Sequence, residues 1–170
     1  MNISENQYYR EMEGDLIQLA KEGRFDVIAH GCNCFCTMKK GIALAMAENF
    51  DCNMFPLEDV KYKGDINKLG QIVWRRCIFN LSNSKLHGIY VVNCYTQYSY
   101  QRHPVIPDPK PFDYDAFRLC MRKMNYQFNG KHIGLPMIGS GLAAGRWESI
   151  KLIIQQELKD CNVTVVIHKP

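Results

Sequence analysis

Short apolar runs recur along the chain between stretches whose apolar positions fall three and four residues apart, which predicts strands and helices taking turns. A first strand is predicted over Gln7 to Glu13; Gly14-Asp15-Leu16 then turns into a short helix, Ile17 to Glu22, whose start the acid marks. Asp26 to Asn33 reads as a buried strand, regular over Val27 to His30 and polar at its end. An irregular loop, Cys34 to Lys40, leads from it to a glycine-opened helix over Ile42 to Asn49. No clean period runs through Asp51 to Leu69, which predicts loops with short helical turns. Gly70 to Phe79 and Gly88 to Cys94 read as two strands parted by the turn residues Ser82-Asn83-Ser84. Thr96 to Pro111 is a long loop rich in aromatics and prolines, a composition that suits a lid. Asp113 to Asn125 is predicted as a helix with Ala116, Leu119, Cys120 and Met124 on one face. Trp147 to Leu158 is another, with Trp147, Ile150, Ile154 and Leu158 in line. His132 to Leu135 and Val163 to Ile167 supply the last strands. Strands alternating with helices predict a three-layer α/β/α domain around a mixed, largely parallel sheet.

Length and composition narrow this picture. With 170 residues and 46% hydrophobic content, one well-filled core and a single domain over 1–170 are expected. No apolar run reaches the ~20 residues of a membrane span and no secretory signal opens the chain, so a cytoplasmic protein without membrane association is expected. The eight cysteines are not grouped like a disulfide scaffold and read as reduced core residues. A formal charge of +4 suits an anionic small ligand without requiring nucleic acid, and a monomer is the expected state.

Candidate chemistry gathers at two turns. Leu135 to Trp147 runs from a strand through Gly139, Gly141 and Gly145 into a helix, and such a turn brings bare backbone N–H groups up to a ligand. Successive N–H groups form an anion nest, and a helix N-terminus adds its positive dipole end. Gly41-Ile42-Ala43 is a second turn of this type, and the two together suggest a diphosphate gripped from both sides, beyond the carboxyl ends of the strands.

The order Gly14-Asp15-Leu16, His30-Gly31-Cys32-Asn33, Gly41-Ile42-Ala43 and Gly139-Ser140-Gly141-Leu142 resembles the macro domain, an ADP-ribose-binding fold, over nearly the whole chain. His30 to Cys34 and Tyr95-Thr96-Gln97 look most like the branch with the yeast-type ADP-ribose 1''-phosphatase and the terminal ADP-ribose protein glycohydrolase. The resemblance implies that Asp15 accepts the adenine amino group beside the Leu16 backbone, or serves only as a helix cap. It implies that Asn33 binds the distal ribose, against the competing role of a turn-forming residue. Lys40, Gly41, Ile42 and Ala43 would flank that ribose and the phosphates, with Gln97 nearby, while Ile138, Gly139, Ser140, Gly141, Leu142 and Ala143 would wrap the diphosphate. Three departures stand out. Gln97 replaces the lysine of the glycohydrolase branch, Ala143 replaces its aspartate, and Lys39 and Lys40 stand where the family usually has glycines.

These residues order the functional readings. Removing phosphate from a sugar needs positioning, charge neutralisation and an oriented water. Asn33 and His30 are the expected catalytic pair, with Lys39 or Lys40 as charge partner, though a histidine satisfied at a strand end competes for His30. The leading expectation is a phosphatase of ADP-ribose 1''-phosphate needing no cofactor or metal. The alternatives are a non-catalytic ADP-ribose-binding module and an ADP-ribosyl hydrolase acting on modified protein or nucleic acid. No cysteine is followed six positions later by arginine, which excludes a cysteine-phosphatase loop, and Asp113-Tyr114-Asp115 reads as a helix cap rather than an aspartyl nucleophile. His30, Cys32, Cys34 and Cys36 alternate at a spacing that fits no usual pair of zinc knuckles.

Overall fold

The computed structural model describes residues 8–56 and 60–169. Gln7, at the head of the first predicted strand, and residues 57–59, inside the irregular segment, lie outside the described residues. The elements run β1 (Tyr9–Glu13), α1 (Leu16–Lys21), β2 (Val27–Asn33), α2 (Gly41–Phe50), β3 (Ile72–Asn80), β4 (Leu86–Gln97), α3 (Tyr114–Gln127), β5 (His132–Leu135), α4 (Trp147–Glu157) and β6 (Asn162–Ile167). Two short 3-10 turns, Cys52–Met54 and Ile66–Lys68, interrupt the stretch between α2 and β3.

The six strands form one mixed sheet in the order β1-β6-β5-β2-β4-β3. All neighbours pair in parallel except β3, which pairs antiparallel with β4 at one edge. Covering both faces makes central strands read as continuous apolar runs, and β2 does so. Its Val27 and Ala29 join the core under α3 and α4, while Ile28 and Cys32 join the core under α1 and α2. All eight cysteines are free thiols, seven of them buried.

Three sequence expectations are corrected here. β2 continues past His30 to Asn33, because its backbone stays paired with β4 through a one-residue slip between Cys32 and Asn33. β4 likewise runs on through Thr96 to Gln97, both expected at the start of the long loop. On α3, Leu119 is 43% exposed, and the buried stripe is Ala116, Phe117, Cys120, Met121 and Met124. The helix is turned so that Phe117 and Met121, each worth roughly 1.5–3 kcal/mol on burial, take the inward positions.

Candidate functional site

β2, β4, β5 and β6 end along the same side of the sheet, and there a cleft of about 1080 Å³ opens between two glycine turns. One wall is the turn after β5, Pro136 to Ala143. Gly139 has a φ of 78°, and a Cβ on it would come within 2.4 Å of the Phe112 ring, so only glycine serves there. The turn is held by its own bonds: Ser140 Oγ donates to the Met137 carbonyl at 2.8 Å, Ala144 N–H to Gly141 O at 3.0 Å and Gly145 N–H to Gly139 O at 2.6 Å. Ser140 N–H is spent on Met137 O at 3.3 Å, so it is not available to a ligand as expected. The N–H groups of Gly139, Gly141, Leu142 and Ala143 have no partner among the described residues.

The opposite wall is the start of α2. Lys40 is its N-cap but gives no side-chain cap bond, and Gly41 turns with a φ of 57° into open space. A ten-residue helix starting here directs its first-turn N–H groups and its dipole into the cleft, where Lys40, Gly41, Ile42 and Ala43 all line the surface. Asp15 lines the far end together with Leu16. Its Oδ1 accepts from Ile17 N–H and Gln18 N–H, both at 3.0 Å, so the cap role is real, and it leaves Oδ2 out of the cap. Gln97 also lines the cleft, and its Nε2 donates to Ser99 O at 2.8 Å. The floor is Gly31, where a Cβ would sit 2.9 Å from Thr96 Oγ1.

The structure does not bring the two expected catalytic residues into this cleft. His30 is fully buried beneath the sheet's α1/α2 face, with Nε2 2.7 Å from Asn93 Oδ1 and the Sγ atoms of Cys52 and Cys32 at 3.5 and 3.6 Å. Burial pushes its pKa down to about 4, so it is a neutral, satisfied core histidine at neutral pH. The Asn33 side chain closes the loop behind it. Oδ1 accepts from Phe35 N–H (3.0 Å) and Thr37 N–H (3.3 Å), while Nδ2 donates to Thr37 O (3.1 Å). Thus the turn-forming role prevails, and neither residue lines the cleft. The 98–111 loop contributes no lining residue either: Ser99 Oγ donates to Ile106 O, and the His103 ring packs on Phe35.

Sequence reasoning missed Gly31, Thr96 and the groove between α1 and α2, where Lys21 Nζ meets Asn49 Oδ1 at 2.5 Å, and the extension past β6 to His168. The only signal for the groove was the polar face shared by Lys21 and Asn49 on neighbouring helices. Among the described residues, no helix is long and apolar enough to cross a membrane.

No protein-family profile matches the chain. It is 30% identical over 164 residues to an uncharacterized 17.5 kDa protein of Enterobacteria phage T4, from the tk-vs intergenic region, covering 94% of this chain and 96% of that one. The chain belongs to one family with that phage protein. A protein of unknown function from Bacteroides thetaiotaomicron superposes with a TM-score of 0.64 at 26% identity, over 94% of this chain and 97% of its own. The macrodomain of Thermus aquaticus DarG superposes with a TM-score of 0.57 at 21% identity, over 95% and 98%. The fold is that of a macro domain. Thermosipho africanus DarTG in complex with ADP-ribose superposes with a TM-score of 0.65 at 15% identity, over 95% of this chain and 41% of its own.

Proposed function

We propose that the cleft binds ADP-ribose and that the protein removes phosphate from ADP-ribose 1''-phosphate. The observation that carries the binding is the pair of facing anion turns. Four N–H groups without a partner among the described residues on one wall and the α2 N-terminus on the other leave between them a space suited to a diphosphate. In this reading Asp15, which lines the end of the cleft, accepts the adenine amino group through Oδ2, the oxygen its helix cap leaves out. Lys40 supplies positive charge for a terminal phosphate, and Thr96 and Gln97 are the neutral polar side chains at the end of β4 that orient sugar and water.

A non-catalytic ADP-ribose-binding module is the second reading, and one observation favours it: no lining residue from β2, β4 or the 136–143 turn is an acid or a base. The hydrolase reading keeps the departures Gln97 and Ala143 against it. Incubating the purified protein with ADP-ribose 1''-phosphate and following phosphate release tests the ranking. We expect release that is lost in Lys40→Ala while ADP-ribose still binds; firm ADP-ribose binding without release would leave the binding module. Absence of calorimetric heat with ADP-ribose would overturn both.

A further inference from the structure

At the other end of the sheet from β1, β3 has a neighbour on one side only among the described residues. Its nine residues pair with β4, and none of them has any other backbone hydrogen bond among the described residues. A bare edge of this length is a template for another strand. Its side chains are not those of an inert edge. Trp74 is 40% and Ile78 63% exposed, and Arg75 and Arg76 lie exposed between them. Beside the strand, against α3, a cavity of about 340 Å³ is lined by Ile72, Trp74, Arg122, Lys123, Tyr126 and Gln127. Its chemistry is apolar and aromatic with a basic rim. Glu157 is the acid facing that rim, and it is taken up by Arg118 and Arg122 at 2.9 and 3.1 Å. On the other face of the strand Arg75 lies over the Phe55 ring, with Asp51 near Cys77.

Three kinds of occupant suit a cationic strand edge, and the residues discriminate among them. In a second copy, the only antiparallel register that pairs all nine positions is centred on Arg76 and sets that side chain against its own copy. Like charges directly across a ladder destabilise it. For nucleic acid, the cations that would hold phosphates are partly committed: Lys123 Nζ donates to Gly70 O and Gln71 Oε1, both at 2.8 Å, and Arg122 to Glu157. The alternating N–H and C=O groups of the edge recognise a peptide backbone, which nucleic acid cannot supply. We propose that the outer edge of β3 docks an extended acidic segment of a protein partner as a seventh strand, placing a large apolar side chain in the cavity and carboxylates against Arg75 and Arg76. This surface shares no residue with the cleft, so it stands apart from the reading of the ligand.

The test uses the whole protein and a fluorescein-labelled nonapeptide of leucine, valine and threonine with two adjacent glutamates at its centre. Anisotropy should show saturable binding, weakened at least about tenfold when the glutamates become lysines. The double variant Arg75→Glu with Arg76→Glu should reverse that preference and favour the lysine peptide, an outcome that an unfolded variant cannot give. Amide shifts on binding should fall on residues 72–80 and 122–127, and a central proline in the peptide should abolish them. The proposal is overturned if the peptide does not bind saturably, or if the proline peptide binds equally. It is also overturned if an oligothymidylate displaces the peptide from β3, or if sedimentation shows the protein self-associating through this edge.

Discussion

Gly139 and Gly141 stand two positions apart and answer to different constraints. Gly139 is pinned by a positive φ and the Phe112 ring, so Gly139→Ala should cost about 1–3 kcal/mol of stability from overpacking, read as a lower denaturation midpoint. A Cβ on Gly141 meets nothing within 4 Å. Gly141→Glu should therefore fold normally and lose ADP-ribose binding, because the carboxylate fills the space between the anion turns; an unfolded variant would show instead that this turn serves geometry alone. Asp15 separates its two roles by substitution: Asp15→Asn keeps an Oδ1 for the cap but replaces the second oxygen by a donor. The melting temperature should hold while affinity for ADP-ribose falls by about 1–3 kcal/mol, measured by calorimetry. His30 gives a pH signature. Its pKa in the folded protein is pushed down to about 4, below the ordinary value of 6.5, so the unfolded chain binds more protons between those pH values. Its contribution is fully present above pH 6.5 and is lost as pH falls toward 4, on the order of 3 kcal/mol. Denaturant titrations at pH 7 and pH 4.5 should show this drop, and His30→Gln should shrink it.

At the scale of elements, strands and helices were legible where apolar runs or three- and four-residue spacings stood between turn residues. The apolar run of β2 and the Asp113 cap of α3, whose Oδ1 accepts from Ala116 N–H at 2.9 Å, mark their elements in the sequence alone. The cleft was legible through Gly41, Gly139 and Asp15, because a positive φ at the two glycines and a helix start at the acid call for those residue types. Side-chain direction was not. Whether His30 serves the cleft or the core is decided by Asn93, a partner 63 positions away whose Oδ1 lies 2.7 Å from its Nε2. Asn33 shows the same gap: an asparagine at a strand end suits both a ligand and a loop, and only the positions of Phe35 and Thr37 decide between them. The 98–111 loop has the composition of a lid, and within it the His103 Nδ1 accepts from Val105 N–H and Ile106 N–H at 3.1 and 2.9 Å and ties residues 103–106 into a local turn. His103→Ala should speed hydrogen exchange across 98–111 and leave ADP-ribose affinity within a few-fold.

For the whole molecule, the two walls of the cleft belong to different helical layers and come together only when the sheet is complete. A ligand bridging them stabilises the folded chain alone. At about 100 times its dissociation constant, ADP-ribose should add roughly 2.7 kcal/mol, a rise of about 5–10 °C in melting temperature for a chain of this size. The sheet order has a further consequence for how the chain reaches that state. β1 pairs only with β6, Tyr9 opposite Val163, and Gly14 N–H is taken by Ile167 O at 3.0 Å. During synthesis the β3–β4 hairpin closes early from neighbouring segments, whereas the strand that leads into Asp15 waits until residues 163–167 have left the ribosome. A nascent chain halted before β6 holds both glycine turns and still has no end wall, so the ability to recognise a ligand arrives in one step, with the last strand translated.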